Sequence, residues 1–168
     1  MRIHVRAAVA AVALVLAGHA AVRAQGSQPA ATPAAQLFAA ASDVKALIAK
    51  AKAERKADQP NFVQPIVRLA PYNANLEYRA GGLPAPASTH DKDAEVFYVI
   101  EGAGTIVTGG TLENERRTNP DNASGTAIAG GTRRRLGPGD FVLVPEKTPH
   151  WFTEIDGTLV MMSLHLPK

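Results

Sequence analysis

The residues that could do chemistry in this chain are two histidines and a glutamate. His90 and Glu95 stand just before a run of alternating β-type residues that closes on Gly102, and His150 follows 55 positions after Glu95 in the stretch GDFVLVPEKTPHWF. In neutral form each imidazole offers one nitrogen lone pair, and the carboxylate adds negative charge. Such a set can hold Fe(II), Mn(II), Zn(II), Ni(II) or Cu(II) and still leave positions open for water or a ligand. An open position is what a catalytic ion needs. The alternative for the same residues is a hydrogen-bonded polar core without metal.

These side chains must be brought together by β-pairing, and the pattern from Pro60 onward supplies it. Phe62 to Leu69 and Tyr72 to Tyr78 read as strands, with Pro65 marking the first as an edge or bulged strand. Glu95 to Ile100 and Thr105 to Thr108 read as a hairpin, and Phe141 to Val144, His150 to Glu154 and Thr158 to Leu166 as three more strands. The expected architecture is an all-β sandwich or barrel with one N-terminal helix, and no parallel α/β pattern competes. The helix is expected over 42–58. Val44, Leu47, Ile48 and Ala51 form its apolar stripe, Ser42 its cap, and Asp58-Gln59-Pro60 its stop. Residues 111–131 read as a polar, turn-rich loop, either a lid at a barrel mouth or a solvated excursion. Within it, Asn122-Ala123-Ser124 matches a glycosylation acceptor. Arg133-Arg134-Arg135 reads as a solvated strand edge or as a clamp for an anion.

Composition narrows the function classes. The chain has 168 residues, no cysteine and a formal net charge of +3. One domain with a real core is expected, without disulfide or thiolate chemistry. Arg2, Arg6 and Arg23 lie in the first 24 residues, and the remainder carries 15 basic and 15 acidic residues. A basic nucleic-acid surface is therefore not expected. The same 24 residues read as a secretory signal with a cut before Gln25. The apolar run from Ala7 to Gly18 falls short of the ~20 residues of a membrane span, so no stable span is expected in the mature chain. A mobile Ala/Pro-rich linker is expected over 25–41, and the barrel domain over 61–168. The expected location is periplasmic or secreted.

At the level of motifs, the chain resembles the cupin family. The first cupin motif, G-x5-H-x-H-x(3,4)-E-x6-G, is met in its spacing by Gly82, His90, Glu95 and Gly102, with Ser88 where the first histidine stands. The second, G-x5-P-x-G-x2-H-x3-N, is met by Gly139, Pro145 and His150, with Lys147 and Glu154 in place of the internal glycine and the final asparagine. The resemblance implies a double-stranded β-helix, or jelly-roll barrel, with a divalent metal held by His90, Glu95 and His150, and a homodimer. Asp91 or Asp93 could add an oxygen ligand where Ser88 withholds a nitrogen.

Four further residues are candidate pocket walls or polar contacts for a small-molecule ligand or substrate: Phe97, Phe152, Tyr78 and Lys92. Trp151 is expected to pack outside the site. His165 shares a strand face with Met161 and Ser163. If that face lines the cavity, His165 is a general base or a fourth ligand; otherwise it is a rim histidine near the terminus. The functional expectation is an exported metal-binding cupin acting on a small oxygen-bearing molecule by oxygenase, isomerase or lyase chemistry. The alternative is a non-catalytic binder of a sugar or organic acid with a degenerate metal site. Neither a nucleotide-binding glycine loop nor a G-x-S-x-G elbow is present.

Overall fold

A computed structural model describes residues 34–168. The expected signal, 1–24, and the first part of the linker lie outside the described residues. The last part of the linker is tied down, because Gln36 and Arg68 exchange backbone hydrogen bonds of 2.9 and 2.8 Å.

The single helix among the described residues, α1, spans Ala41–Glu54. Asp43, not Ser42, caps it, its carboxylate accepting the Ala40 N–H at 2.9 Å. Ala40 is extended, so the helix begins at Ala41 and Ser42 falls inside the first turn. The expected stretch 55–58 is not helical. Arg55 turns out of the helix, and its guanidinium donates to the carbonyls of Lys56 at 2.7 Å and Gln59 at 2.8 Å, which closes a turn before Pro60.

The strands follow as β1 (Asn61–Leu69), β2 (Tyr72–Ala80), β3 (Ala87–His90), β4 (Asp93–Gly102), β5 (Gly104–Thr108), β6 (Thr111–Glu113), β7 (Arg116–Asn119), β8 (Asn122–Gly125), β9 (Ala127–Ala129), β10 (Thr132–Leu136), β11 (Phe141–Val144), β12 (His150–Thr153) and β13 (Thr158–Pro167). They form one sheet in the order β1-β2-β13-β4-β11 and a second in the order β10-β5-β12-β3-β8-β7. The chain changes sheet at β3 to β4, between His90 and Glu95. As expected, β1 is an edge strand and its register shifts between Pro65 and Val67, where proline has no N–H to give.

Alternation sends one face of each sheet inward. Phe97, Val99, Ile106, Val144, Phe152, Leu159 and Met161 meet there as an apolar core drawn from both sheets. The outer face of the first sheet is also buried, because Ile48 and Ala51 of α1 pack on Ile66, Leu76, Tyr78 and Val160. Gly102 ends β4 at φ +80°, and a Cβ there would meet the Thr158 carbonyl oxygen at 2.0 Å. That close approach is why the hairpin turns on glycine.

Residues 111–131 are not a loop. They form β6 to β9, and β6 pairs with β9. Leu112 and Ile128 then cover Val107, Ala87 and Ala123 on the outer face of the second sheet. Only a few apolar side chains in a polar stretch do this, so no strand periodicity announces it. The arginine run forms β10 at a sheet edge with its charges paired outward, Arg133 to Glu154 at 2.6 Å and Arg135 to Asp156. Among the described residues, no helix is long and apolar enough to cross a membrane.

Candidate metal centre

The sheet change between β3 and β4 puts His90 on one wall of the barrel and Glu95 on the facing wall, both aimed inward. His150 opens β12 beside β3, and His165 lies on β13 directly across from Glu95. Each sheet therefore supplies two of the four residues. Glu95 is only 4% exposed and His150 5%. Around this buried carboxylate, His90 Nε2 and His150 Nε2 each lie 3.4 Å from Oε2, and His165 Nε2 lies 3.2 Å from Oε1. The His90 ring is 5.3 Å from that of His150 and 5.1 Å from that of His165.

Each ring is held from behind. His90 Nδ1 lies 2.7 Å from Asn122 Oδ1, His165 Nδ1 lies 3.4 Å from Asp93 Oδ2, and His150 Nδ1 lies 3.4 Å from the Thr148 carbonyl. All three outer groups are acceptors, so in a neutral ring the proton belongs on Nδ1 and the Nε2 lone pair turns inward, whereas a charged ring donates from Nε2 to Glu95. The main chain of β3 is fixed as well, since the Lys147 N–H donates to the His90 carbonyl at 2.6 Å. Lys147 does this at φ +60°, in the position where the motif carries glycine.

Electrostatics follow from this crowding. Burial by itself would raise the Glu95 pKa, but hydrogen bonding to His150, His165 and His90 outweighs it and holds the carboxyl well below the usual range. Burial lowers the His90 pKa, and Glu95 with Asn122 more than reverses that, so it is raised. His165 is raised chiefly by Glu95, against its burial.

The donor set fits a divalent cation. The ligand atoms of His90, Glu95 and His165 lie within 4.8 Å of one another; the expected ligand His150 is outside that group and approaches Glu95 alone, its Nε2 3.4 Å from Oε2. With metal–ligand bonds of about 2.1 Å, neighbouring donors stand roughly 3.0–3.4 Å apart, which the nitrogen–oxygen spacings here match.

The other expected contacts divide. Phe97 lies tilted 5.7 Å from the His150 ring and edge-on to Phe152 at 4.9 Å, forming a floor beside His150. Phe152 lines a cavity of about 150 Å³ together with Ser88, His150, Arg79 and Asn61. Tyr78 is not at this site. It lies on the outer face of β2 under α1, because Glu77 and Arg79 take the inward positions. Nor does Lys92 face inward, since its side chain is 69% exposed and pairs with Asp121 at 2.8 Å. Trp151 packs against the outer cluster and donates to the Ala85 carbonyl at 2.9 Å. His165 is partly exposed, at 23%, with its ring turned to Glu95.

Three residues escaped the sequence reading. Arg79 sits 4.4 Å over the Phe152 ring and donates to Glu77 at 2.6 and 2.9 Å, while Asn61 donates to the same carboxylate at 3.0 Å. Alternation along β2 could have flagged Glu77 and Arg79 as one charged face. Asn122, read as a glycosylation acceptor, has its side chain turned to His90 instead.

No protein-family model matches this chain, and no curated protein matches it in sequence. Among solved structures it is similar to the DMSP lyase DddQ from Ruegeria pomeroyi DSS-3, with 20% identity and a TM-score of 0.51, over 80% of this chain and 67% of that one. It is similar also to the cupin domain of Cnp3 from Schizosaccharomyces pombe, with 10% identity and a TM-score of 0.50, over 70% of this chain and 72% of that one. The fold is thus the jelly-roll barrel of the cupins, as the two motifs imply. It encloses a histidine–glutamate group able to bind a metal ion.

Proposed function

We propose that this chain is an exported divalent-metal cupin that binds a small oxygen-bearing molecule at an ion held by His90, Glu95 and His150. One observation carries the reading. Three imidazoles present Nε2 to one buried carboxylate while their Nδ1 atoms are held by outer acceptors. In neutral form those inward nitrogens are lone pairs facing an anion, an arrangement that calls for a cation between them. A divalent ion there supplies Lewis acidity to a ligand oxygen and, if it is iron, oxygen activation.

The chain's own residues do the rest. Glu95 brings the negative charge, and Asn122 and Thr148 keep the His90 and His150 donors aimed inward. Phe97 and Phe152 close the floor against water. Ser88 and Arg79, on the cavity beside His150, are placed to orient a polar ligand. Ser88 also favours a second reading, a barrel that captures such a molecule without turning it over, because a hydroxyl is a weak donor.

Elemental analysis of residues 25–168, made without an affinity tag and kept from chelators, tests the centre. Near-stoichiometric metal is expected in the parent and none in Glu95→Ala; metal retained in the variant overturns the assignment. Oxygen-dependent turnover, isomerisation or lyase activity then separates the enzyme from the binder. Amino-terminal sequencing of the exported protein tests the cut before Gln25. Sedimentation tests the homodimer, for which exposed Phe141 and Leu143 on the edge strand β11 give support.

A further inference from the structure

We infer that His165 is a metal ligand, standing in the donor set for the nitrogen that Ser88 does not supply. The inference rests on the metal-centre reading above and concerns which side of Glu95 the donors occupy. Antiparallel pairing of β13 with β4 sets His165 opposite Glu95, so its ring reaches Oε1, while His90 and His150 both face Oε2. At 3.2 Å this is the shortest of the three approaches. The donor atoms of His165, His90 and Glu95 form one group within 4.8 Å, and the His165 ring is as near to His90 as the His150 ring is.

The ring also has its own support. Asp93 lies two residues before Glu95 on β4, so alternation sends both side chains to the same side of the strand. Its carboxylate faces His165 Nδ1 at 3.4 Å. One strand therefore provides both a ligand and the acceptor that orients another ligand, the outer arrangement typical of metal-bound imidazole.

Ser88 lies on the opposite side of the centre. It pairs with His150 across β3 and β12, and its short side chain borders the cavity that His150, Arg79 and Phe152 also line. Ser88 adds no nitrogen there, and the cavity it lines with His150 and Arg79 leaves space at that end of the centre. A small molecule bearing an oxygen donor is expected to approach through that space, between Ser88 and Arg79.

The experiment compares the parent, His165→Ala, Ser88→His and Ser88→His/His165→Ala. Affinity for Zn(II) is read by chelator competition, and the imidazole nitrogens on bound Cu(II) are counted by pulsed electron paramagnetic resonance. Expected for His165→Ala is a loss exceeding the roughly 10- to 100-fold that removal of an outer partner costs, with one nitrogen fewer on copper. The double variant is expected to regain both, which also shows that the barrel tolerates the loss of His165. Parent-like affinity and nitrogen count in His165→Ala overturn the inference, as does a double variant no better than His165→Ala. A parent that takes up neither metal overturns the metal-centre reading itself, a different outcome.

Discussion

The two ends of the barrel interior are built by the same strands and behave as opposites. Along β4 the inward side chains run Glu95, Phe97, Val99, and along β13 they run His165, Ser163, Met161, Leu159. At one end they interlock with Ile106, Val144 and Phe152 as a dry core; at the other they gather three histidines around a carboxylate. The apolar end needs no partner beyond itself, whereas the polar end leaves its charges unbalanced without protons or a cation. Stability is therefore expected to reside at the first end and binding at the second, joined by Phe97, which touches both.

Substitutions should separate the two. Phe97→Ala is expected to have the largest effect on folding, costing about 3–5 kcal/mol because the side chain is wholly buried and the cavity would not close. Urea denaturation measures it, and a loss under 1 kcal/mol would mean that the core does not depend on this contact. Glu95→Ala is expected to abolish metal uptake while the metal-free barrel still unfolds cooperatively; a molten variant would show that the ends are not separable.

The pH response should differ in the same way. In the metal-free protein His90 and His165 are raised above the ordinary 6.5. Their contribution to stability is fully present below about 6.5 and is lost as pH rises through their folded values. Glu95 is depressed below the ordinary 4.5, so its contribution is present above that value and is lost as pH falls through its lower folded value. Metal affinity should run the other way, rising with pH as the imidazoles shed protons. Stability and affinity titrated side by side would show these opposing slopes; parallel slopes would count against shared residues.

Two smaller effects sharpen the contrast. Lys147→Gly relieves a non-glycine residue at φ +60° and is expected to stabilise by about 1 kcal/mol without changing metal content. Tyr78→Phe, under α1, should leave metal affinity unchanged, as measured by chelator competition.

Much of this was legible in the sequence wherever a short stretch of chain decides the outcome. The spacing from Gly82 to Gly102 sets His90 and Glu95 together at the start of a β run, Pro65 marks an edge or bulged strand, and the Arg133 to Arg135 run, open to a solvated edge or an anion clamp, is paired outward at an edge. The distant pairings were less legible. Tyr78 reads as a candidate ligand contact because β2 buries both faces, and alternation cannot say which face looks inward. Residues 111–131 looked like a loop because their few apolar side chains gain meaning only against Val107 and Ala123.

His165 shows the boundary most clearly. Its place on a face with Ser163 and Met161 follows from the two-residue period of a strand, which is a property of the backbone alone. That this face meets Glu95 depends on β13 settling between β2 and β4 in one register, and that choice is made by side chains packing across some 70 residues of intervening chain. Residue types and local spacing can be read along the chain; which of them end up within reach of one carboxylate is settled when the two sheets close.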